Sequence, residues 1–448
     1  MKSQGQIIEL VRKSGVIGAG GGGFPTYAKL QAQVDTVIAN GSECEPLLAS
    51  DKTMMLHYAD LLIEGLQLAI HATGASQGII GVKSHYEKVI AALKKALPTD
   101  GSIKLHLLPN YYPAGDEFVL VYELTGRVIP EGGIPLHVGV VVNNVITLMQ
   151  VAEAVSGKPV IERAISLVGE FKQPQVVTVP IGTTYQDLVQ IAGGLNIADA
   201  VLIDGGPMMG KIVTDWNLGV AKTTSGVLAL PRDHFIVRMQ QKSLAQMIRQ
   251  SKSACCQCFR CTDLCPRNLL GHSLQPHLTM RTIDYNLTQP TSNITAAFLC
   301  SQCGMCELVA CDFMLLSPRK IYAAYRKELT ARGIKNPHVK NDLVVREEFS
   351  GRKVAINMIL QKLDLAKYYQ ELPFTGKKVV TCVKIALNKH LGMPAIPQVK
   401  RNQKVRMTEV IAESPRDQLG AVYHASIDGI VNEVTDEVIT IVAVSFKA

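Results

Sequence analysis

Two runs of cysteine constrain this chain more than any other feature. The first, CCQCFRCTDLCP, sets Cys255, Cys258, Cys261 and Cys265 at C-x2-C-x2-C-x3-C ahead of Pro266. The second, CSQCGMCELVAC, sets Cys300, Cys303, Cys306 and Cys311 at C-x2-C-x2-C-x4-C. Three thiolates at this spacing can wrap one face of an iron–sulfur cube, but the fourth ligand must come from elsewhere. In two-cluster ferredoxins the last cysteine of each run crosses to the other cluster. The spacing therefore predicts one 4Fe–4S centre on Cys255, Cys258, Cys261 and Cys311, and a second on Cys300, Cys303, Cys306 and Cys265. Structural zinc takes paired C-x2-C motifs or histidines, not triple runs closed by Cys-Pro. Cys256 falls out of register, and Cys44 and Cys382 stand alone as small buried side chains.

Nine of the 11 cysteines lie in these runs, eight of them in register, and MKSQGQIIELVRKSG has no apolar signal segment, so a reducing, cytoplasmic setting is expected. The 448 residues exceed one core and predict several domains. No apolar run reaches the roughly 18 residues of a membrane span. The formal net charge is +8, and ten Lys/Arg against four Asp/Glu put +6 of it between Arg319 and Lys353. That segment has no Gly/Arg repeat and no interleaved aromatics, which argues against nucleic acid. It reads either as a solvated helical face or as a docking patch for an acidic protein.

Along the chain, residues 1–160 alternate strand and helix patterns, as an α/β layer requires. Residues 161–235 read as two strands, a helix and a returning strand, a β-grasp-like unit. A helical cysteine domain spans 236–335, a helical connector 336–372, and short β segments fill 373–448. The connector's VAINMILQKLDLAKYYQEL reads as one helix.

A second motif stands near the N-terminus. GVIGAGGGGFPTYAK packs six glycines into the nine residues from Gly15 to Gly23. Gly18, Gly20 and Gly23 match G-x-G-x-x-G, yet the segment before them looks helical and Pro25 delays the helix after. A standard dinucleotide fingerprint needs the opposite order. The run Gly20–Gly23 still has no Cβ, so backbone amides can line a flat or phosphorylated ligand. IANGSECEP, YYPAGDE and VVNNVIT supply polar residues at the ends of apolar strands, where open α/β sheets bind ligands.

GAGGGGFPTYAK, NGSECEP and NNVIT resemble the flavin- and NADH-binding motifs of the large nucleotide-binding subunit of respiratory complex I, and of the C subunit of the Rnf electron-transport complex. Within that superfamily the chain is similar over nearly its whole length to the cobalamin reductases of propanediol-utilisation microcompartments. The resemblance implies a Rossmann-like FMN/NADH domain, a β-grasp soluble-ligand-binding (SLBB) domain, a two-cluster ferredoxin domain and a barrel-sandwich hybrid. It implies that Gly18, Gly20, Gly21, Gly23, Lys29, Asn40, Glu43, Asn143 and Asn144 contact FMN. Phe24 would stack on the nicotinamide side, with Glu45 and Glu117 helping to hold NADH. The chain departs from the complex I pattern at Ser42, where the complex I protein has an acid, and at Asp116-Glu117, where it has two glutamates.

The implied activity is NADH-dependent reduction of cobalamin for adenosylation in 1,2-propanediol degradation. A corrinoid adenosyltransferase and shell proteins are the implied partners, inside a bacterial microcompartment. Two other readings stay open: a Rnf-like NADH:ferredoxin-type oxidoreductase subunit, and a relay that carries electrons without catalysis. The C-terminal piece resembles biotinyl and lipoyl carrier folds, but its hairpin tip, Ser426-Ile427-Asp428-Gly429, offers no lysine to acylate. It reads as a docking or structural module.

Overall fold

The computed structural model describes residues 2–287 and 289–444. Residue 1 of the first expected domain, 288 of the cysteine domain and 445–448 of the last lie outside them.

Four apolar runs, Thr36–Gly41, Gln77–Lys83, Ile103–Leu108 and Val140–Asn144, form one parallel sheet. Thr36–Gly41 lies between Gln77–Lys83 and Val140–Asn144, with Ile103–Leu108 at the edge. Alternation along the strands divides two cores. Val37 and Ala39 pack with Ile7, Leu62 and Leu148 from three helices, Gln4–Lys13, Ala59–Thr73 and Val145–Val155. Ile38, Val140 and Val142 pack on the other face with Leu120 and Val121 of the helix Glu117–Thr125. The strand order reverses between Thr36–Gly41 and Val140–Asn144, so the carboxyl ends of these two strands flank a crevice. Behind it, two helices cross so closely that a Cβ on Gly65 would stand 1.8 Å from the Leu148 carbonyl oxygen.

The β-grasp unit is a mixed sheet of Glu162–Gly169, Gln175–Pro180, Ala200–Asp204, Lys211–Ile212 and Gly226–Pro231. Val177, Val179, Leu202 and Val227 pack against Leu188 of the helix Tyr185–Ile191. A sixth strand, Phe374–Lys377, runs parallel to Gln175–Pro180 and joins this sheet from far along the chain.

The cysteine region is helical, as its pattern predicts, with Leu244–Ala254, Pro276–Asp284 and Pro318–Ala331 around the ligand loops. The connector differs from the single helix expected. Its helix is Ile356–Lys362, and Asp364 then turns left-handed at φ 54°. The turn lets Ile359, Leu360, Leu363 and Leu365 all enter one core, which a straight helix of that length would not do.

The last unit has two antiparallel sheets, one of Cys382–Ala386, Val438–Ala443, Gly429–Val434 and Lys404–Val405, the other of Ile396–Pro397, Val410–Glu413 and Val422–His424. Its Val383, Ile385 and Ile441 share a core with Ile7 and Val11, so it packs directly on the first domain. The hairpin tip is no exposed carrier tip. Ser426 is 2% exposed and donates to the Ile181 carbonyl at 2.6 Å, which makes this end structural.

The basic run divides: Lys327, Arg332, Lys335, Lys340, Arg346 and Arg352 are exposed, as a solvated face requires, while Arg319, Lys320, Arg326 and Lys353 are half-buried. Lys320 donates to the carbonyls of Met239, Gln240 and Lys242, Arg326 to those of Ala297 and Cys300, and Arg346 to that of Asn268. These cations satisfy loop carbonyls around the cysteines, a role that neither sequence reading anticipated. Among the described residues no helix is long and apolar enough to cross a membrane.

Candidate functional site

The glycine loop closes on itself. Ile17 bridges Pro25, the Gly18 amide donates to the Phe24 carbonyl at 2.8 Å, and the Gly23 amide returns to the Gly18 carbonyl at 3.2 Å. Gly21 takes φ 97°, which only glycine adopts readily, and a Cβ there or on Gly22 would meet nothing within 4 Å. Among the described residues the amides of Gly20, Gly21 and Gly22 have no acceptor. Three elements hold the loop in place. Thr147 accepts from the Ala19 amide at 2.8 Å, the Leu391 amide donates to the Gly23 carbonyl at 2.9 Å, and Arg163 donates to the Ala19 carbonyl at 2.6 Å.

Arg163 was invisible in the sequence. It lies on a β-grasp strand, is 1% exposed, and donates its Nε to the Thr224 carbonyl at 2.6 Å. The one signal that could have marked it is its place in the otherwise apolar ERAISLVG, a strand buried along its length from Arg163 to Gly169.

The polar residues expected around the crevice fall into two groups. Lys29, Glu117 and Phe24 come together beside the loop. Lys29 pairs with Glu117 at 3.1 Å, donates to the Val142 carbonyl at 2.8 Å and stands 5.9 Å from the Phe24 ring centroid. Asn143 is buried, and its Nδ2 has no acceptor. The others are engaged by the protein. Asn144 caps the helix Val145–Val155 through the Ile146 amide and donates to Asp51 at 2.6 Å. It lies directly under the loop, 3.4 Å from where a Gly20 Cβ would be. Glu43 caps the helix Ser50–His57, accepting from the amides of Asp51 and Lys52, both at 2.9 Å, and from the Ser50 hydroxyl. Burial raises both carboxyls of the adjacent Glu43–Asp51 pair. Asn40 donates to the Gly115 carbonyl and accepts from the Ser42 amide.

Glu45 bonds across a seam between the first domain and the β-grasp unit. Its Oε2 accepts from the Met208 amide of the β-grasp unit at 3.0 Å, and burial pushes its carboxyl up to about 7. The Met208 carbonyl in turn accepts from Arg319, which forms an ion pair with the fully buried Glu307 at 2.5 Å.

The cysteines ring two cavities. Cys265, Cys300, Cys303 and Cys306 line one, and Cys255, Cys258, Cys261 and Cys311 line the other. These are the two crossed quartets. Cys256 also lines the second. Electrostatics follow the same grouping: burial, then the charges of Cys311, Cys255 and Cys258, pushes Cys261 up to about 12. Burial, then Cys300, Cys303 and Cys265, raises Cys306. Such thiols resist ionising together without a cation, and thiolate is the ligating form.

The donor sets therefore fit the groups that the sequence implies. Four convergent soft thiols suit an iron–sulfur core. A glycine run with three unaccepted amides, and the unpaired Asn143 donor at the end of the strand Val140–Asn144, suit a flat ring carrying carbonyls and a phosphate.

The first cavity adjoins the crevice. The Tyr112 hydroxyl donates to the Cys303 carbonyl, and Asp116, which caps the helix Glu117–Thr125, forms an ion pair with Arg267 of the Cys-Pro-Arg segment.

Family comparisons divide the chain in the same way. Residues 11–153 match the Nuo51 FMN-binding domain, 165–211 the SLBB domain, 254–315 the 4Fe-4S dicluster domain and 367–444 the RnfC barrel sandwich hybrid domain. Fold and site together define a multidomain oxidoreductase of the flavin and iron–sulfur class. Cobalamin reductase PduS of Citrobacter freundii is 40% identical over 439 residues, 97% of this chain and 96% of its own length. The PduS of Salmonella typhimurium is 40% identical over 443 residues, 98% and 97% of the two chains. This chain belongs to the cobalamin reductase PduS family. The C subunit of the Na(+)-translocating ferredoxin:NAD(+) oxidoreductase complex of Acetobacterium woodii is 36% identical over 271 residues, 59% of this chain and 58% of its own length.

Proposed function

We propose that this protein is an NADH-dependent flavin and iron–sulfur reductase of cobalamin. FMN and two 4Fe–4S clusters, when bound, supply the conversion of a hydride's electron pair into single electrons, which no side chain can perform.

The chain's own contribution is positional. The amides of Gly20, Gly21 and Gly22 and the Nδ2 of Asn143 are donors for the flavin, and Gly18 and Gly23 give the loop its closed shape. Asn144, Glu43 and Asn40 act from behind, fixing the helix ends and the loop on which those donors ride. Lys29, held by Glu117, keeps a cation at the crevice beside Phe24, on the side where the nicotinamide would stack. Glu45 and Glu117 stay as the acidic contacts for NADH, Glu117 being the more accessible. The two quartets of cysteine hold the clusters. The observation that carries this reading is the join between them: Tyr112 and Asp116, from the loop beside the crevice, bond the Cys303 carbonyl and Arg267.

The match along nearly the whole of two cobalamin reductases, against 59% of the chain for the Rnf-type protein, favours cobalamin over ferredoxin as acceptor. The same kinship supports a role in 1,2-propanediol utilisation within a cytoplasmic microcompartment, with a corrinoid adenosyltransferase consuming the reduced cobalt. The test is anaerobic. Reconstituted protein with NADH should reduce aquacobalamin well above the rate of free FMN at equal concentration; a rate no better than free FMN contradicts the reading.

A further inference from the structure

The two thiol cavities differ in what covers them. In the first, Cys265 and Cys306 are buried; at the mouth of the second, Cys258 and the neighbouring Cys256 are exposed. One aromatic ring stands at that mouth and a second is exposed on the adjoining ligand loop. Phe259 lines the cavity yet is 50% exposed, and Phe313, two residues past Cys311, is 83% exposed. Phe259 is held outward by its own backbone, at φ 64°, a region bulky residues rarely enter, with its ring 4.2 Å from that of His277.

The charge here is one-sided. Asp263 is paired with Arg352, Asp312 with Lys362, and Asp284 accepts from the Ser251 hydroxyl. The exposed Arg249 and Arg260 have no acidic partner among the described residues. An electron leaving the protein must leave from the centre nearest solvent, since tunnelling falls steeply with distance. The second cavity is that centre.

We propose that cobalamin docks on this face, its corrin ring against Phe259 and Phe313 and its nucleotide-loop phosphodiester on Arg260. The proposal rests on the cobalamin-reductase reading above. A corrin is a broad conjugated macrocycle with apolar edges, suited to exposed aromatic rings. Its phosphodiester is the fixed negative charge of the molecule, and an unpaired guanidinium is its natural partner. One electron crosses in each encounter, taking cobalt from Co(III) to Co(II) or from Co(II) to Co(I). One NADH, leaving as NAD+ and a proton, supplies two such encounters.

The experiment uses reconstituted full-length protein and three variants, Phe313→Ala, Phe259→Leu and Arg260→Ala. Equilibrium dialysis measures binding of aquacobalamin and of diaquacobinamide, which lacks the nucleotide loop, beside NADH-driven reduction of each; iron content verifies loading. The aromatic variants should weaken both corrinoids by about fivefold to tenfold, from one lost ring contact. Arg260→Ala should weaken aquacobalamin by about fivefold and leave cobinamide unchanged. Wild-type binding and reduction in all three loaded variants would overturn the docking face. So would reduction that occurs only when the corrinoid arrives on a protein, which would mean a protein interface instead. If the wild type itself is no faster than free FMN, the reductase reading falls; if the wild type is fast and the variants equal it, only this face falls.

Discussion

The hydroxyl of Tyr112 donates to the carbonyl of Cys303 at 2.6 Å, joining the loop beside the glycine crevice to a ligand loop of the nearer thiol cavity. Beside it Asp116 pairs with Arg267, whose guanidinium lies 3.7 Å from the Phe118 ring centroid. On the proposed function, a cluster held by Cys265, Cys300, Cys303 and Cys306 would stand nearer the crevice than one held by the more exposed quartet.

Asp116→Ala should be costly. Both partners of its ion pair are about nine-tenths buried, with side-chain exposures of 10% and 8%. Removing one leaves Arg267 buried without a counter-charge and the helix Glu117–Thr125 without its cap, a loss of about 3 kcal/mol or more. Urea unfolding followed by circular dichroism should show a clearly lower midpoint, and replacing both residues by apolar ones should recover part of it.

Arg163→Met should release flavin. The substitution leaves the carbonyls of Ala19 and Thr224 without their donor and frees the glycine loop from the β-grasp strand. Flavin affinity, read by fluorescence after dialysis, should fall by about tenfold, the effect of one or two charge-assisted hydrogen bonds. Arg163→Lys should recover part of the affinity.

Lys222 predicts a pH dependence. It is buried where three domains meet, donating to the carbonyls of Gly15 at 2.7 Å and Val422 at 2.8 Å, and burial lowers its ammonium to about 7. The unfolded chain keeps this proton up to about 10.4, so between roughly pH 7 and 10 the unfolded state binds more protons and stability rises with pH. Melting temperature should therefore climb from pH 7 to 9 in the native protein and climb less in Lys222→Met.

Local chemistry was legible in the sequence and distant partnership was not. The two cysteine registers define their quartets because the ligands lie a few residues apart and the crossing follows a general rule. The glycine loop announces itself by what it lacks. Glu43 and Asn144 were legible as polar residues at strand ends, but not as helix caps. That role depends on a helix that begins seven residues beyond Glu43, at Ser50. Arg163 reaches a carbonyl 144 residues away and Lys222 one 207 away, and no periodicity encodes such contacts. The basic run was legible as a mostly solvated face, but the carbonyl partners of Lys320, Arg326 and Arg346 are loops that only the fold brings near.

The most direct test of the account is electron paramagnetic resonance of two anaerobically reconstituted variants, Cys311→Ala and Cys265→Ala, after mixing with NADH. Each should keep about half the native iron, because each loses one ligand of one four-thiolate cluster. The remaining cluster of Cys311→Ala should be reduced promptly while cobalamin reduction collapses, and that of Cys265→Ala should stay oxidised. Full iron in both variants would contradict the crossed quartets, and equal reduction of both would contradict the order of travel from crevice to exposed face.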